Sequence, residues 1–247
     1  MRLICLPYAG GSATVYARWK RHLPSWIEVA PLEWPGRGVR MDEPLQTDPA
    51  ALADRLASEL IRAQLAEPYA LFGHSLGGLI AFELAHRLLA LGAPRPRMLL
   101  VSGTEAPAMR DGSRWKEPLS DDALRDELLR LKGTPQEALE SVEIMRGALP
   151  ILRADFLMSG NYVYQRRQPL PCPLHVFGGD QDETRLEALD AWQAETSAVF
   201  GLDMLPGDHF FIHARQADLL NLVAAVLAAP SIAEARGRMR GTLSIAR

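Results

Sequence analysis

The segment from Tyr69 to Gly92 constrains the fold of this chain more than any other part of its sequence. The apolar run Tyr69–Gly73 predicts a buried strand, and the apolar pattern Leu76–Leu91 predicts a helix that Gly92 ends. The join between them, Gly73-His74-Ser75-Leu76-Gly77, is a Gly-x-Ser-x-Gly pattern. Such glycines let a strand and a helix approach closely around a strained serine, which is typical of a nucleophile elbow. The alternative is a glycine–serine turn without chemistry.

Strand and helix patterns alternate on both sides of this elbow. The other predicted strands are Leu3–Tyr8, Trp26–Leu32, Met98–Ser102, Leu174–Phe177 and Leu202–Leu205. Outside residues 108–168, one further helix is predicted from about Pro49, with Asp48 as its N-cap. Two more are predicted at Arg185–Val199 and Phe211–Ala228. This alternation implies a mainly parallel sheet with helices on both faces. Together with the elbow it predicts the α/β-hydrolase fold, as one domain over residues 1–228.

The stretch from about Ala108 to Gln168 interrupts the alternation. It contains two helical patterns, Ser120–Leu131 and Gln136–Leu157, and no convincing strand pattern. Ligands bind at the carboxyl ends of parallel strands, and an all-helical insertion at this point of the chain covers those ends. We therefore interpret it as a helical lid. The alternative is a peripheral helical decoration.

His209 is the candidate general base for Ser75. A serine hydroxyl is a weak nucleophile at neutral pH, so it requires a base. In this fold the base comes last in chain order, and His209 stands between the final strand pattern and the final helix pattern. His213 is the alternative, although packing or capping is its expected role.

The acid that orients the base is expected after the fifth strand, where Asp180 and Asp182 are available. The usual spacing places the acid three residues after the glycine that ends the strand. Counting from Gly179 selects Asp182, whereas counting from Gly178 selects Gln181, which cannot serve. We predict Asp182 as the acid and keep Asp180 as the alternative.

Two backbone donors are needed for the oxyanion that forms during attack on a carbonyl. The first is the N–H of Leu76, directly after the nucleophile. The second is expected from the glycine-containing loop Pro7–Ser12, whose glycines permit close approach to a carbonyl oxygen. Ala9 is the predicted second donor.

Composition excludes several functions and locations. The net charge of −3 argues against a general nucleic-acid binder. The two cysteines, Cys5 and Cys172, lack metal-ligand spacing and fit a reducing compartment. The chain enters a strand pattern directly after Met1-Arg2, which leaves no room for a signal peptide, and no apolar stretch approaches the ~20 residues of a membrane span. We therefore expect a cytoplasmic protein.

Residues 229–247 form a basic C-terminal tail. It carries Arg236, Arg238, Arg240 and Arg247 against a single acidic residue, Glu234. The expectation is a solvated, disordered terminus, and a docking arm is the alternative.

Motifs along nearly the whole chain, to about Ala228, make a resemblance visible. They are Leu6–Ser12, Pro35–Arg40, Phe72–Gly78, Leu149–Phe156, Phe177–Gly179 and Gly207–Phe211. In this order they resemble the type II (external, editing) thioesterases that accompany nonribosomal peptide and polyketide synthases. One departure is Glu183-Thr184, where the family more often has proline and an apolar residue after the acid.

The resemblance implies a serine thioesterase with the triad Ser75, Asp182 (or Asp180) and His209. Such an enzyme hydrolyses acyl thioesters on the phosphopantetheine arm of acyl- and peptidyl-carrier proteins, which are the implied partners. It implies no metal and no bound cofactor, because the pantetheine belongs to the substrate. We expect a monomer that binds neither nucleic acid nor membrane. The alternatives are a medium-chain fatty acyl thioesterase, a general carboxylesterase or lipase and, remotely, a non-catalytic binding protein on a hydrolase scaffold.

Two further expectations concern the substrate path. Apolar residues of the insertion are expected to line an acyl chamber: Leu149, Ile151, Leu152, Phe156, Leu157 and Met158. Carrier proteins are typically acidic, so arginines near the mouth of the site are candidates for steering them. We consider Arg37, Arg40 and Arg153 for this role, with structural salt bridges as the alternative.

Overall fold

Six parallel strands form one twisted sheet in the computed structural model, which describes residues 1–229. The strands are β1 (Arg2–Leu6), β2 (Glu28–Pro31), β3 (Tyr69–His74), β4 (Leu99–Ser102), β5 (Leu174–Gly179) and β6 (Phe200–Leu205). Their spatial order is β2-β1-β3-β4-β5-β6, and every neighbouring pair is parallel. The predicted α/β fold is therefore confirmed, and the carboxyl ends of all six strands lie at one edge.

Helices cover both faces of this sheet. They are α1 (Pro49–Arg62), α2 (Leu76–Ala90), α3 (Asp121–Leu131), α4 (Gln136–Glu140), α5 (Val142–Asn161), α6 (Leu186–Asp190), α7 (Phe211–Ala214) and α8 (Gln216–Ala228). Side chains alternate between the faces along each strand. In β1, Ile4 and Leu6 pack with α1 and α2, whereas Leu3 and Cys5 pack with α8. The sheet thus separates two buried apolar layers.

Three predicted helices differ from the structure. The pattern Arg185–Val199 yields only α6 and a 3₁₀ turn at Ala191–Glu195, because the chain then pairs alongside Leu170. The pattern Gln136–Leu157 is divided at Ser141, whose hydroxyl accepts a hydrogen bond from Ile144 N–H and caps α5. The final helix is divided between α7 and α8 at Arg215.

The segment between β4 and β5 contains α3, α4 and α5, with short 3₁₀ turns before them. Its helices share a small apolar cluster that is distinct from the two layers on the sheet. Its buried members are Leu124, Leu128, Met145, Leu149, Leu152 and Phe156. We refer to residues 107–168 as the insertion.

Two expectations depend on which residues the structure describes: one concerns membrane spans and the other the C-terminal tail. Within residues 1–229, no helix is long and apolar enough to cross a membrane. The predicted basic tail lies, from residue 230 onward, outside the described residues.

Candidate active site

Ser75 occupies a sharp turn between β3 and α2. Its backbone angles, φ 52° and ψ −123°, are rarely adopted by a residue with a side chain and carry strain. The flanking glycines are required by the close approach of backbone segments. A Cβ at Gly73 would lie 2.1 Å from the carbonyl oxygen of Gly77, and one at Gly77 would lie 2.3 Å from that of Leu6. This packing holds Ser75 at the carboxyl edge of the sheet.

His209 and Asp182 come together from neighbouring loops at the same edge. Asp182 follows β5, His209 follows β6, and His209 Nδ1 lies 2.9 Å from Asp182 Oδ2. Asp180, the alternative acid, is exposed and instead accepts a hydrogen bond from the Gly207 N–H at 2.9 Å. The geometry favours Asp182 as the partner of His209 and gives Asp180 the task of joining the two loops.

A cavity of about 420 Å³ is lined by all five predicted site residues, which are Ala9, Ser75, Leu76, Asp182 and His209. Among residues 1–229, no hydrogen bond joins the Ser75 hydroxyl to His209. Such bonds are commonly long or poorly aligned in a free enzyme and tighten in the substrate complex. The arrangement therefore brings the predicted nucleophile, base and acid around one space.

The two predicted oxyanion donors are free to act. Leu76 is the first residue of α2, so its N–H has no partner within the helix. In the loop after β1, Gly10 N–H donates to Asp155 Oδ2 at 2.7 Å, and Gly11 N–H donates to the Tyr8 carbonyl at 2.9 Å. Within the described chain the Ala9 N–H has no protein acceptor. Of residues 9–11, Ala9 is thus the one with an available donor.

His74 is a packing partner of the site. It is fully buried, with Nδ1 2.9 Å from the Ser102 hydroxyl, and its ring centroid lies 5.1 Å from that of His209. Burial lowers the pKa of His74 well below its usual range, and electrostatic interactions with His209 and His213 lower it further. A neutral His74 therefore packs against the His209 ring without adding charge.

His213, the alternative base, lines neither of the two cavities at Ser75. Its Nε2 lies 2.8 Å from the Tyr8 hydroxyl, and its ring stacks on Phe210 at an interplanar angle of 8°. Burial also lowers the pKa of His213.

Tyr8 and Phe210 line a cavity at Ser75, and the sequence did not identify either as a site residue. Their part in the site depends on two loops that are about 200 residues apart in the chain.

A second cavity, of about 340 Å³, opens from Ser75 beneath the insertion. Its apolar lining includes Met145, Leu152 and Phe156 on α5. Of the six residues predicted for an acyl chamber, only Leu152 and Phe156 line this space. Leu149 and Met158 pack inside hydrophobic cores, while Ile151 and Leu157 line neither cavity at Ser75. Leu152 and Phe156 are four residues apart and so share one face of the helix.

The three arginines considered for docking all form ion pairs within the chain. Arg37 is only 3% exposed and binds Asp155 with both terminal nitrogens, so the prediction that it docks a carrier protein is wrong. Arg40 pairs with Glu43 and Glu59, and Arg153 pairs with Asp121. The salt-bridge alternative describes all three arginines.

Known proteins that are similar to this chain identify its family. A family model described as a thioesterase domain matches residues 1–227. The chain is 40% identical to the linear gramicidin dehydrogenase LgrE of Brevibacillus parabrevis, over 91% of this chain and 87% of that protein. It is 36% identical to the gramicidin S biosynthesis protein GrsT of Aneurinibacillus migulanus, over 92% and 89%. The solved structure of the type II thioesterase BorB from the borrelidin biosynthetic cluster superposes with a TM-score of 0.83 at 37% identity, covering 92% of each chain.

Proposed function

Because the chain belongs to the thioesterase family, we propose that it hydrolyses acyl thioesters on the phosphopantetheine arms of carrier proteins and thereby edits nonribosomal peptide or polyketide assembly lines. The observation that carries this proposal is a single cavity lined by Ser75, Asp182, His209 and two free backbone donors, in a chain of that family. The similarity to biosynthetic thioesterases over nine-tenths of the chain supports the substrate class.

Ser75 is the proposed nucleophile and His209 its base. His209 Nδ1 is engaged by Asp182, so Nε2 is the nitrogen that takes the Ser75 proton as Oγ attacks the thioester carbonyl carbon. Asp182 holds the ring in that orientation and stabilises the imidazolium. When the carbon–sulfur bond breaks, His209 returns the proton to the departing pantetheine sulfur, and an acyl-enzyme is left on Ser75.

Water completes the cycle by the same route. It loses a proton to His209 while it attacks the acyl-enzyme, and the acid is released when Ser75 Oγ recovers a proton. In both halves the N–H groups of Ala9 and Leu76 donate hydrogen bonds to the negatively charged carbonyl oxygen and stabilise it. Preorganised donors of this kind are worth about 2.7–4 kcal/mol each in the transition state.

The two cavities that meet at Ser75 suit a substrate with two unlike parts. The branch beneath the insertion is lined by apolar side chains of α5 and suits an acyl chain. The other branch contains the hydroxyl of Ser159 and the guanidinium of Arg110, and suits the amide-rich pantetheine arm. The insertion thereby acts as the lid of the acyl branch.

The first test is Ser75→Ala, assayed on an acyl group attached to a carrier protein. We expect loss of hydrolysis on the order of 10⁶-fold, as when a serine nucleophile is removed from a comparable triad. Circular dichroism should show an unchanged fold. Substantial residual turnover by the folded variant would remove Ser75 from the mechanism.

A comparison of substrates with the unaltered enzyme tests the substrate class. The same acyl group is supplied on a carrier protein, on free pantetheine and as a p-nitrophenyl ester. We expect kcat/KM to be highest for the carrier-bound thioester. A preference for the oxygen ester would favour a general esterase, and a sharp optimum at medium-length fatty acyl chains would favour fatty acid release over editing.

A further inference from the structure

A buried ion pair links the insertion to the loop after β2. Arg37, in the loop after β2, donates from its two terminal nitrogens to the two carboxylate oxygens of Asp155 on α5, at 2.7 and 2.6 Å. Asp155 is fully buried and Arg37 is 3% exposed. The two residues are 118 positions apart in the chain, so this contact exists only in the folded protein.

The same carboxylate also reaches the predicted oxyanion loop. Asp155 Oδ2 accepts the Gly10 N–H at 2.7 Å, and Arg37 donates to the Gly11 carbonyl at 3.1 Å. One turn earlier on α5, Leu152 packs directly on Gly10, where an added Cβ would lie 2.5 Å from its side chain. Two independent contacts from α5 thus fix the backbone immediately after Ala9.

We propose that Arg37 and Asp155 are positioning residues that aim the Ala9 N–H at the oxyanion. By binding Gly10 N–H and Gly11 C=O, the pair fixes the two residues after Ala9. The Gly11 N–H in turn donates to the Tyr8 carbonyl, which shares its peptide plane with the Ala9 N–H. Arg37 and Asp155 do not touch the substrate. This inference rests on the proposed thioesterase function, because it concerns the transition state of that reaction.

Stability alone does not account for such a pair. Desolvation of two charges offsets most of their attraction, and apolar replacements of similar volume are often neutral or stabilising by about 1–4 kcal/mol. An ion pair with a bidentate geometry supplies instead a fixed direction. Here that direction is transmitted to one peptide group of the oxyanion loop. It follows that α5 cannot move away from the sheet without withdrawing the acceptor of Gly10.

The test replaces both charges together in the variant R37M/D155L, which leaves no unpaired charge in the core. Asp155→Asn is the companion variant: its amide oxygen can still accept the Gly10 N–H, while Arg37 loses its carboxylate partner. Arg153→Met is the matched control: it lies on the same helix and breaks an ion pair with Asp121, away from the oxyanion loop. All are assayed on acyl-pantetheine, with enzyme concentration set by active-site titration, so that misfolded protein is not counted.

We expect R37M/D155L to lower kcat by roughly 10- to 100-fold, which is less than the loss of a whole oxyanion donor. KM should stay within about twofold, since the ground-state carbonyl makes weaker use of the hole. The dissociation constant of a trifluoromethyl ketone analogue, which forms a tetrahedral oxyanion on Ser75, should rise by the same factor as kcat falls. Asp155→Asn should lie between R37M/D155L and the unaltered enzyme, and Arg153→Met should match the unaltered enzyme.

A normal kcat per titrated site in R37M/D155L would overturn the proposal and leave the pair a purely structural feature. An equal loss in Arg153→Met would do the same, because it would show a general sensitivity of α5. Failure of the proposed function looks different: the unaltered enzyme itself would then not hydrolyse the thioester.

Discussion

The carboxyl edge of the sheet and the insertion that covers it are held by different kinds of contact. At the edge, backbone meets backbone: Gly73 and Gly77 leave no room for a Cβ, and the Ser75 N–H donates to the Ser102 carbonyl at 2.7 Å. In the insertion, side chains do the holding, through a small apolar cluster and arginine–carboxylate pairs. Backbone contacts tolerate almost no adjustment, whereas side-chain contacts can be exchanged or broken singly.

The insertion is itself uneven. α5 is tied to the sheet edge by the buried Asp155, while α3 reaches the acid loop through a surface pair between Arg130 and Glu183. Exposed pairs of this kind contribute about 0–1 kcal/mol because water screens them. The difference indicates that the predicted catalytic residues and α5 are firmly held and that α3 is held more weakly. The next three predictions test this contrast.

The largest effect is expected at the edge, from Asp182→Asn. An asparagine amide in place of the carboxylate favours the wrong tautomer of His209 and cannot stabilise its imidazolium, so kcat should fall on the order of 10⁴-fold. Asp180→Asn is the control, since an asparagine oxygen can still accept the Gly207 N–H, and it should change kcat less than tenfold. Steady-state kinetics on acyl-pantetheine at neutral pH measure both. The reverse ranking would show that the acid loop sits two residues out of register in solution.

An intermediate effect is expected from replacing Gly73 with alanine, and the same replacement at Gly147 is its comparison. Gly73→Ala would place a Cβ 2.1 Å from a backbone oxygen that cannot move aside, so we expect a loss of several kcal/mol in the free energy of unfolding, as overpacking of a rigid site exceeds the usual 1–3 kcal/mol. Gly147→Ala, in open space on α5, should instead raise that free energy by about 0.5–1 kcal/mol. Chemical denaturation compares them. A mild Gly73→Ala would contradict the rigidity of the elbow.

The smallest effect is expected from Glu183→Gln, which releases α3 from the acid loop. Glu183 is exposed and Arg130 keeps Glu127 as a partner, so the free energy of unfolding should fall by about 1 kcal/mol or less. The turnover number on acyl-pantetheine should be unchanged. A large fall in kcat would mean that this pair also orders the loop of Asp182, and the division between edge and insertion would then have to be redrawn.

Local pattern was sufficient for the part of the protein that backbone geometry governs. The elbow follows from two glycines around one serine, and the parallel sheet follows from the alternation of short apolar runs with helical patterns. Chain order and loop position then indicated His209, and the spacing after Gly179 indicated Asp182. Each of these signals spans only a few neighbouring residues, over which sequence spacing approximates distance in space. The catalytic roles themselves stay predictions until the variants are measured.

Only the tertiary structure decided what depends on distant partners. The pattern at 185–199 is helical in its periodicity, but pairing beside Leu170 draws its second half out of the helix. Arg37 carries the charge expected of a residue that docks an acidic partner. In the folded chain it is buried in an ion pair with Asp155, 118 positions away. A charge in the sequence carries no mark of whether it faces water or a carboxylate. That is determined by which segments the fold brings together, because burial and pairing are properties of the packed chain.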